Sequence, residues 1–110
     1  MARAIGRKKI TVTLTDAATN YPISATTIIT TDFEVYVPVG NSGPCVYIGD
    51  SAVDTTWIPR TSGSRLNYVS GDGSMAGPTA PIAFDLSKFF VRGSVAGDTV
   101  IVEYAAFVTI

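Results

Sequence analysis

The chain has no histidine, a single cysteine, and charged side chains at only 15% of its 110 positions. Without histidine it lacks the commonest general base, the commonest metal ligand and the usual activator of a serine or cysteine nucleophile. The lone Cys45 cannot close an internal disulfide, so no oxidising compartment is implied. Inside an apolar run it reads as a small buried hydrophobe. No apolar stretch approaches the roughly 20 residues of a membrane span, and Met1 to Ile10 lacks the apolar centre of a signal peptide. The simplest reading is a protein made and assembled inside a cell. No window sustains a 3.6-residue period either, which argues against a helical architecture.

What is present is β-forming. A length of 110 residues suits one domain, and a hydrophobic fraction of 46% can fill its core without staples. Ile10, Val12 and Leu14 alternate with threonines, and Phe33, Val35 and Val37 alternate with Glu34 and Tyr36. Period two places the first member of each set inward and the second outward. Thr26 to Thr31 is β-branched and reads as a strand, with Asp32 marking a bulge or break before the next. Cys45–Ile48 and Leu66–Ser70 read as short strands.

The C-terminal third carries the strongest signal. Phe89–Arg92 and Thr99–Val108 are strand runs around a small-residue loop closed by Gly97-Asp98. Residues 16–22, the turn Gly40-Asn-Ser-Gly-Pro44, Ser62-Gly63 and the glycine-rich stretch 71–78 read as loops. Asp85 is placed to cap a single helical turn before Phe89. These segments predict an all-β, single-domain antiparallel β-sandwich or jelly-roll-like barrel, with seven or eight short strands and at most one helical turn.

Charge is unevenly spread. Arg3, Arg7, Lys8 and Lys9 are four of the eight basic residues, which leaves residues 10–110 with four basic against nine acidic ones, a net of −5. Residues 1–9 thus read as a basic arm on an acidic body, suited to an acidic neighbour or to another copy of the chain. A frayed, solvated terminus is the alternative. Four cations in one arm give weak, salt-sensitive attraction to phosphate, and the acidic body disfavours nucleic acid.

The remaining candidates for chemistry have plainer explanations. Asp50 and Asp54 are close enough in sequence for an acid–base pair, yet both suit turn formation. Gly71-Asp72-Gly73 lacks the further acids of a calcium loop and the lysine of a phosphate loop. Trp57, with Tyr47 and Tyr68, offers an aromatic platform for a sugar ring; core packing and a protein interface are the other uses of a lone tryptophan. No enzyme activity, cofactor or metal is expected.

Two passages together carry a resemblance. The first is Val46-Tyr-Ile-Gly-Asp-Ser-Ala-Val-Asp-Thr-Thr, with Gly63 and a hydrophobic strand after it. The second is Phe84-Asp-Leu-Ser-Lys-Phe-Phe-Val-Arg-Gly, followed by Gly97-Asp-Thr-Val-Ile-Val-Glu-Tyr. This plan resembles the small β-rich virion structural proteins of tailed bacteriophages. The resemblance spans Cys45 to Tyr104 and implies a non-enzymatic particle component, located in the virion after assembly in the host cytoplasm. A capsid decoration (cement) protein is the first expectation, contacting the major capsid protein, copies of itself, or both, as a homo-oligomer such as a trimer. Arg3, Arg7, Lys8, Lys9, Tyr36, Trp57 and Arg60 are the expected contact residues. A tail, neck or fibre module that binds a host-surface receptor or carbohydrate is the alternative. Neither reading requires a membrane.

Overall fold

A computed structural model describes residues 2–69 and 83–109. It is all-β, with ten strands and one 3-10 turn among the described residues. Strands β1 (Ala2–Leu14), β4 (Asp32–Tyr36), β7 (Arg65–Val69) and β10 (Asp98–Thr109) form one antiparallel sheet in the order β1-β10-β4-β7. Strands β2 (Asn20–Pro22), β5 (Cys45–Gly49), β6 (Pro59–Thr61) and β9 (Phe90–Gly93) form a second, in the order β2-β9-β5-β6. A two-residue pair, β3 (Ile29–Thr30) with β8 (Phe84–Asp85), closes one end.

Strict alternation explains the sandwich. Ile10, Val102, Val35 and Leu66 are successive partners across the first sheet, so one inward row crosses all four strands. In the second sheet Val46, Ile48 and Val91 face the same interior. Val12, Leu14, Val35, Val100 and Val102 join them in one continuous buried cluster. Burying side chains of this size stabilises by roughly 1.5–3 kcal/mol each. The two sheets approach closely where Gly93 meets Leu14: a β-carbon at 93 would lie 2.7 Å from Leu14 Cδ1.

Several expectations change. Phe89–Arg92 and Thr99–Val108 predict neighbouring strands, yet β9 and β10 belong to opposite sheets. The connection between them crosses the edge of the sandwich; Gly97, at φ +91°, donates its N–H to the Leu14 carbonyl at 2.8 Å and starts β10 beside β1. Ten strands replace seven or eight, because β2, β6 and β8 are short pieces held by partners rather than by their own pattern. Thr26–Thr31 contributes only Ile29 and Thr30, and Asp32 starts β4 rather than interrupting a longer strand. Pro22 and Pro59 fall in β2 and β6, both edge strands, where a missing donor is tolerated. Asp85 caps the 3-10 turn Leu86–Lys88, accepting from Ser87 N at 2.9 Å, and that turn presses Leu86 into the core.

The basic segment is also not a detached arm. Ala2 to Lys9 is the first part of β1, paired with β10 as far as Thr109. β4 pairs with β10 only from Ile101 to Tyr104, and beyond it Ala105 and Ala106 stay buried, with the Thr30 hydroxyl donating to the Ala105 carbonyl at 2.8 Å; only Phe107–Thr109 and Ala2–Ala4 run on as a two-stranded ribbon. At about 3.3 Å per residue this ribbon is roughly 10 Å long. Its register shifts by a bulge between Ala4 and Gly6. The glycine-rich stretch 71–78 lies outside the described residues.

Candidate functional site

The expected contact residues fall in three places. Arg3, Arg7, Lys8 and Lys9 lie on β1, an edge strand, with Arg7, Lys8 and Lys9 exposed. Part of this charge is already engaged: Arg7 pairs with Asp32 of β4 and donates to the Glu103 carbonyl at 3.2 Å. The pair is solvent-exposed and worth at most about 1 kcal/mol. Lys9 stands opposite Glu103, which in turn stands opposite Glu34, so on the outer face of the first sheet one cation flanks two adjacent carboxylates. Tyr36 belongs to this face as well. Arg65, its cross-strand partner, stacks 4.4 Å above its ring and bonds Glu34 at 2.9 Å.

Trp57 and Arg60 come together elsewhere, at a groove of about 580 Å³ beside β6. The loop entering β6 is built from two successive Asp turns. Asp50 Oδ1 accepts from Ala52 N at 2.8 Å, and its carbonyl accepts from Val53 N at 3.0 Å. Val53 then inserts as a fully buried anchor. Asp54 Oδ1 accepts from Thr56 N at 2.8 Å, and the Asp54 carbonyl accepts from Trp57 N at 3.1 Å. Side chains that bond their own backbone two residues on impose such turns. Both carboxylates are therefore turn-formers, each occupied by its own loop.

The Thr56 hydroxyl and then its backbone N–H hold the Asp54 carboxyl below its ordinary pKa. A depressed folded-state pKa gives stability that is complete above the unfolded value and is lost as pH falls through the folded one. Thermal unfolding followed from pH 7 to pH 2 should show Asp54→Asn less stable than wild type at neutral pH, with the gap closing on the acid side. A gap that stays constant down to pH 2 would show that the Asp54 charge contributes nothing.

The second turn delivers the Trp57 ring onto the Gly49 backbone. A β-carbon at Gly49 would fall 2.3 Å from Trp57 Cζ3, so only glycine allows the ring to lie flat there. Trp57 stays 38% exposed and is not a core residue. Core packing of the tryptophan is thus overturned: β6 is the sheet edge, and nothing among the described residues covers it from outside. Tyr68 and Phe89 form the opposite wall, whereas Tyr47 does not line the groove.

That wall is fixed by a four-ring cluster. Phe33 and Tyr68 are cross-strand partners in β4 and β7 and stack in parallel at 4.6 Å; Phe84 and Phe89 meet Phe33 edge-on at 5.3 and 5.0 Å. Burial raises the Tyr68 hydroxyl pKa, with the nearby Arg60 charge opposing it. Arg60 and Lys88 place two cations on the groove, against the single carboxylate of Asp50. Arg60 Nε is buried and has no hydrogen-bond partner among the described residues.

Periodicity marks Phe33 as a core residue but not Phe84 and Phe89 as its companions, and nothing in the sequence joins Lys88 to Trp57. Cys45 is half-buried rather than a core residue, because alternation along β5 turns Val46 and Ile48 inward and Cys45 and Tyr47 to the other face. A hydrogen bond with Cys45 raises the Tyr47 hydroxyl pKa. No group of three His, Cys, Asp or Glu suited to a metal occurs among the described residues. Compared with protein-family models, curated proteins and solved structures, the chain gives no match.

Proposed function

We propose that this chain is a structural component of a bacteriophage virion, a capsid decoration protein that clamps neighbouring capsid subunits. The observation that carries the reading is the exposed β1 edge of the first sheet. Arg7, Lys8 and Lys9 are exposed along it, opposite Ala105, Tyr104 and Glu103, and beyond them Ala2–Ala4 and Phe107–Thr109 run on as a short two-stranded ribbon. A two-stranded ribbon on its own is marginal in water and gains from being covered. The unpaired N–H and C=O groups of the β1 edge offer strand addition to a neighbour, while its lysines oppose pairing with another cationic edge. An acidic partner surface satisfies both conditions. The resemblance over Cys45 to Tyr104 supplies the particle context, and repetition over symmetric copies turns weak contacts into firm attachment.

The pairing of β1 with β10 calls for charge substitution rather than truncation as the test, since removing residues 1–9 also removes the partner of β10. Arg7, Lys8 and Lys9 changed together to Gln should reduce occupancy on particles lacking the protein at least tenfold in 150 mM salt. Wild-type occupancy should itself fall steeply as salt rises. Equal occupancy of wild type and variant would remove the β1 edge from the mechanism. Imaging that locates the chain at a tail or fibre tip would replace the decoration reading with that of a receptor-binding module.

A further inference from the structure

We infer that the groove beside β6 is a binding site for an acidic saccharide, a pyranose ring bearing a carboxylate. The site does not depend on where in a particle the chain sits, so it stands or falls separately from the decoration reading.

Three features of the groove converge on this ligand. The first is the Trp57 ring. It is held flat on Gly49 by the two Asp turns, and a ring fixed in place with its surface still exposed is a ready platform for the apolar face of a sugar. Ile58, 66% exposed, extends that apolar surface. The second is the opposite wall, where Tyr68 and Phe89 are locked by the Phe33 cluster and so lose little freedom when a ligand binds. The volume, about 580 Å³, lies within the range of sites that take a small ligand.

The third feature is charge. Arg60 and Lys88 face the groove, and neither forms an ion pair among the described residues. The partnerless Arg60 Nε is a buried donor, which is costly unless satisfied, and a guanidinium fork matches a carboxylate in two parallel hydrogen bonds. The Asp50 carboxylate offsets one of the two charges and leaves the lining net positive by one. A neutral sugar would use the aromatic platform and leave both cations idle. A peptide strand added to β6 would meet Pro59, which has no N–H to donate, in a strand of only three residues. A ring with one apolar face, a hydroxyl rim and one carboxylate uses the platform and the cations together.

Trp57 is the only tryptophan, so its fluorescence reports on this groove alone. The probes are trisaccharides of galacturonate, glucuronate and mannuronate, each against its neutral counterpart with a hydroxymethyl group in place of the carboxylate, and adenosine monophosphate. At least one uronate trisaccharide should give a saturable change in Trp57 emission and shift the indole N–H resonance, with affinity at least tenfold above its neutral counterpart. The double variant Arg60→Gln, Lys88→Gln should lose at least tenfold in affinity for the uronate and leave weak neutral binding unchanged, with circular dichroism confirming its fold. The variant with Arg7, Lys8 and Lys9 changed to Gln should bind like wild type.

Any of four results overturns the inference. These are no saturable change with any uronate, equal affinity for the neutral sugars, tighter binding of adenosine monophosphate, or loss of binding in the β1-edge variant instead of the groove variant.

Discussion

Replacing Phe33 with Ala should lower the unfolding free energy by about 4 kcal/mol, the upper range for a buried aromatic. Phe33 is 1% exposed and is the fully buried member of four rings that all contact one another, Tyr68, Phe84 and Phe89 being partly buried. Truncation removes its own burial and leaves a space its neighbours cannot refill, because each is anchored in a separate element: Tyr68 in β7, Phe84 in β8, Phe89 between the 3-10 turn and β9. For a domain of this size the loss corresponds to a fall in Tm of roughly 15–25 °C. Urea unfolding should show a lower midpoint with an unchanged slope. Phe33→Leu, which keeps most of the volume, should cost well under half as much. A loss below about 1 kcal/mol for Phe33→Ala would mean that the cluster rearranges freely and that the groove wall it supports is not fixed. The substitution also probes the site, since Tyr68 stacks on Phe33 and faces the ligand groove.

The second large effect is expected at Asp98, whose side chain is 5% exposed and belongs to no ion pair among the described residues. Its two oxygens accept from the Ser42 and Gly43 backbone N–H groups, each at 2.8 Å. Beside it the Asn41 amide accepts from Thr99 N at 3.0 Å and donates to Thr99 O at 2.8 Å. Together these bonds fasten the loop after β4 to the start of β10. Asp98→Ala strands one buried and one partly buried backbone donor and should cost about 3 kcal/mol. Asp98→Asn should recover part of that, because its amide can satisfy one N–H but turns a donor toward the other. Denaturant unfolding of both variants measures the difference, and limited proteolysis should cut first in residues 38–44. Equal stability of Asp98→Ala and wild type would show that water replaces the carboxylate at no cost. Gly43 belongs to the same device: a β-carbon there would lie 2.9 Å from Asp98 Oδ2 and 2.5 Å from Ser94 Oγ, so the loop can approach the carboxylate only without a side chain.

Much of this architecture is written locally. The alternation of Ile10, Val12 and Leu14, and of Phe33, Val35 and Val37, specifies both strand and inward face, because successive side chains leave a pleated strand on opposite sides. Asp85 is recognisable as a cap since its bond to Ser87 N spans two residues. Asp50 and Asp54 are legible as turn-formers for the same reason of short range. The basic character of residues 3–9 is plain in the sequence, but its place on a paired strand is not, since only the match of Ala2 to Ile10 with the far end of β10 creates that strand.

Sequence alone therefore determined the all-β class, the inward faces of the main strands, the local turns and the uneven charge. Tertiary structure decided which strands share a sheet, sending β9 and β10 to opposite layers. It also brought Trp57, Arg60, Tyr68 and Lys88 to one groove from the loop before β6, from β6, from β7 and from the 3-10 turn. The physical reason is range. Pleat, cap and turn are set by atoms a few bonds apart, whereas sheet membership and the groove follow from pairings across tens of residues, whose energies no single segment contains.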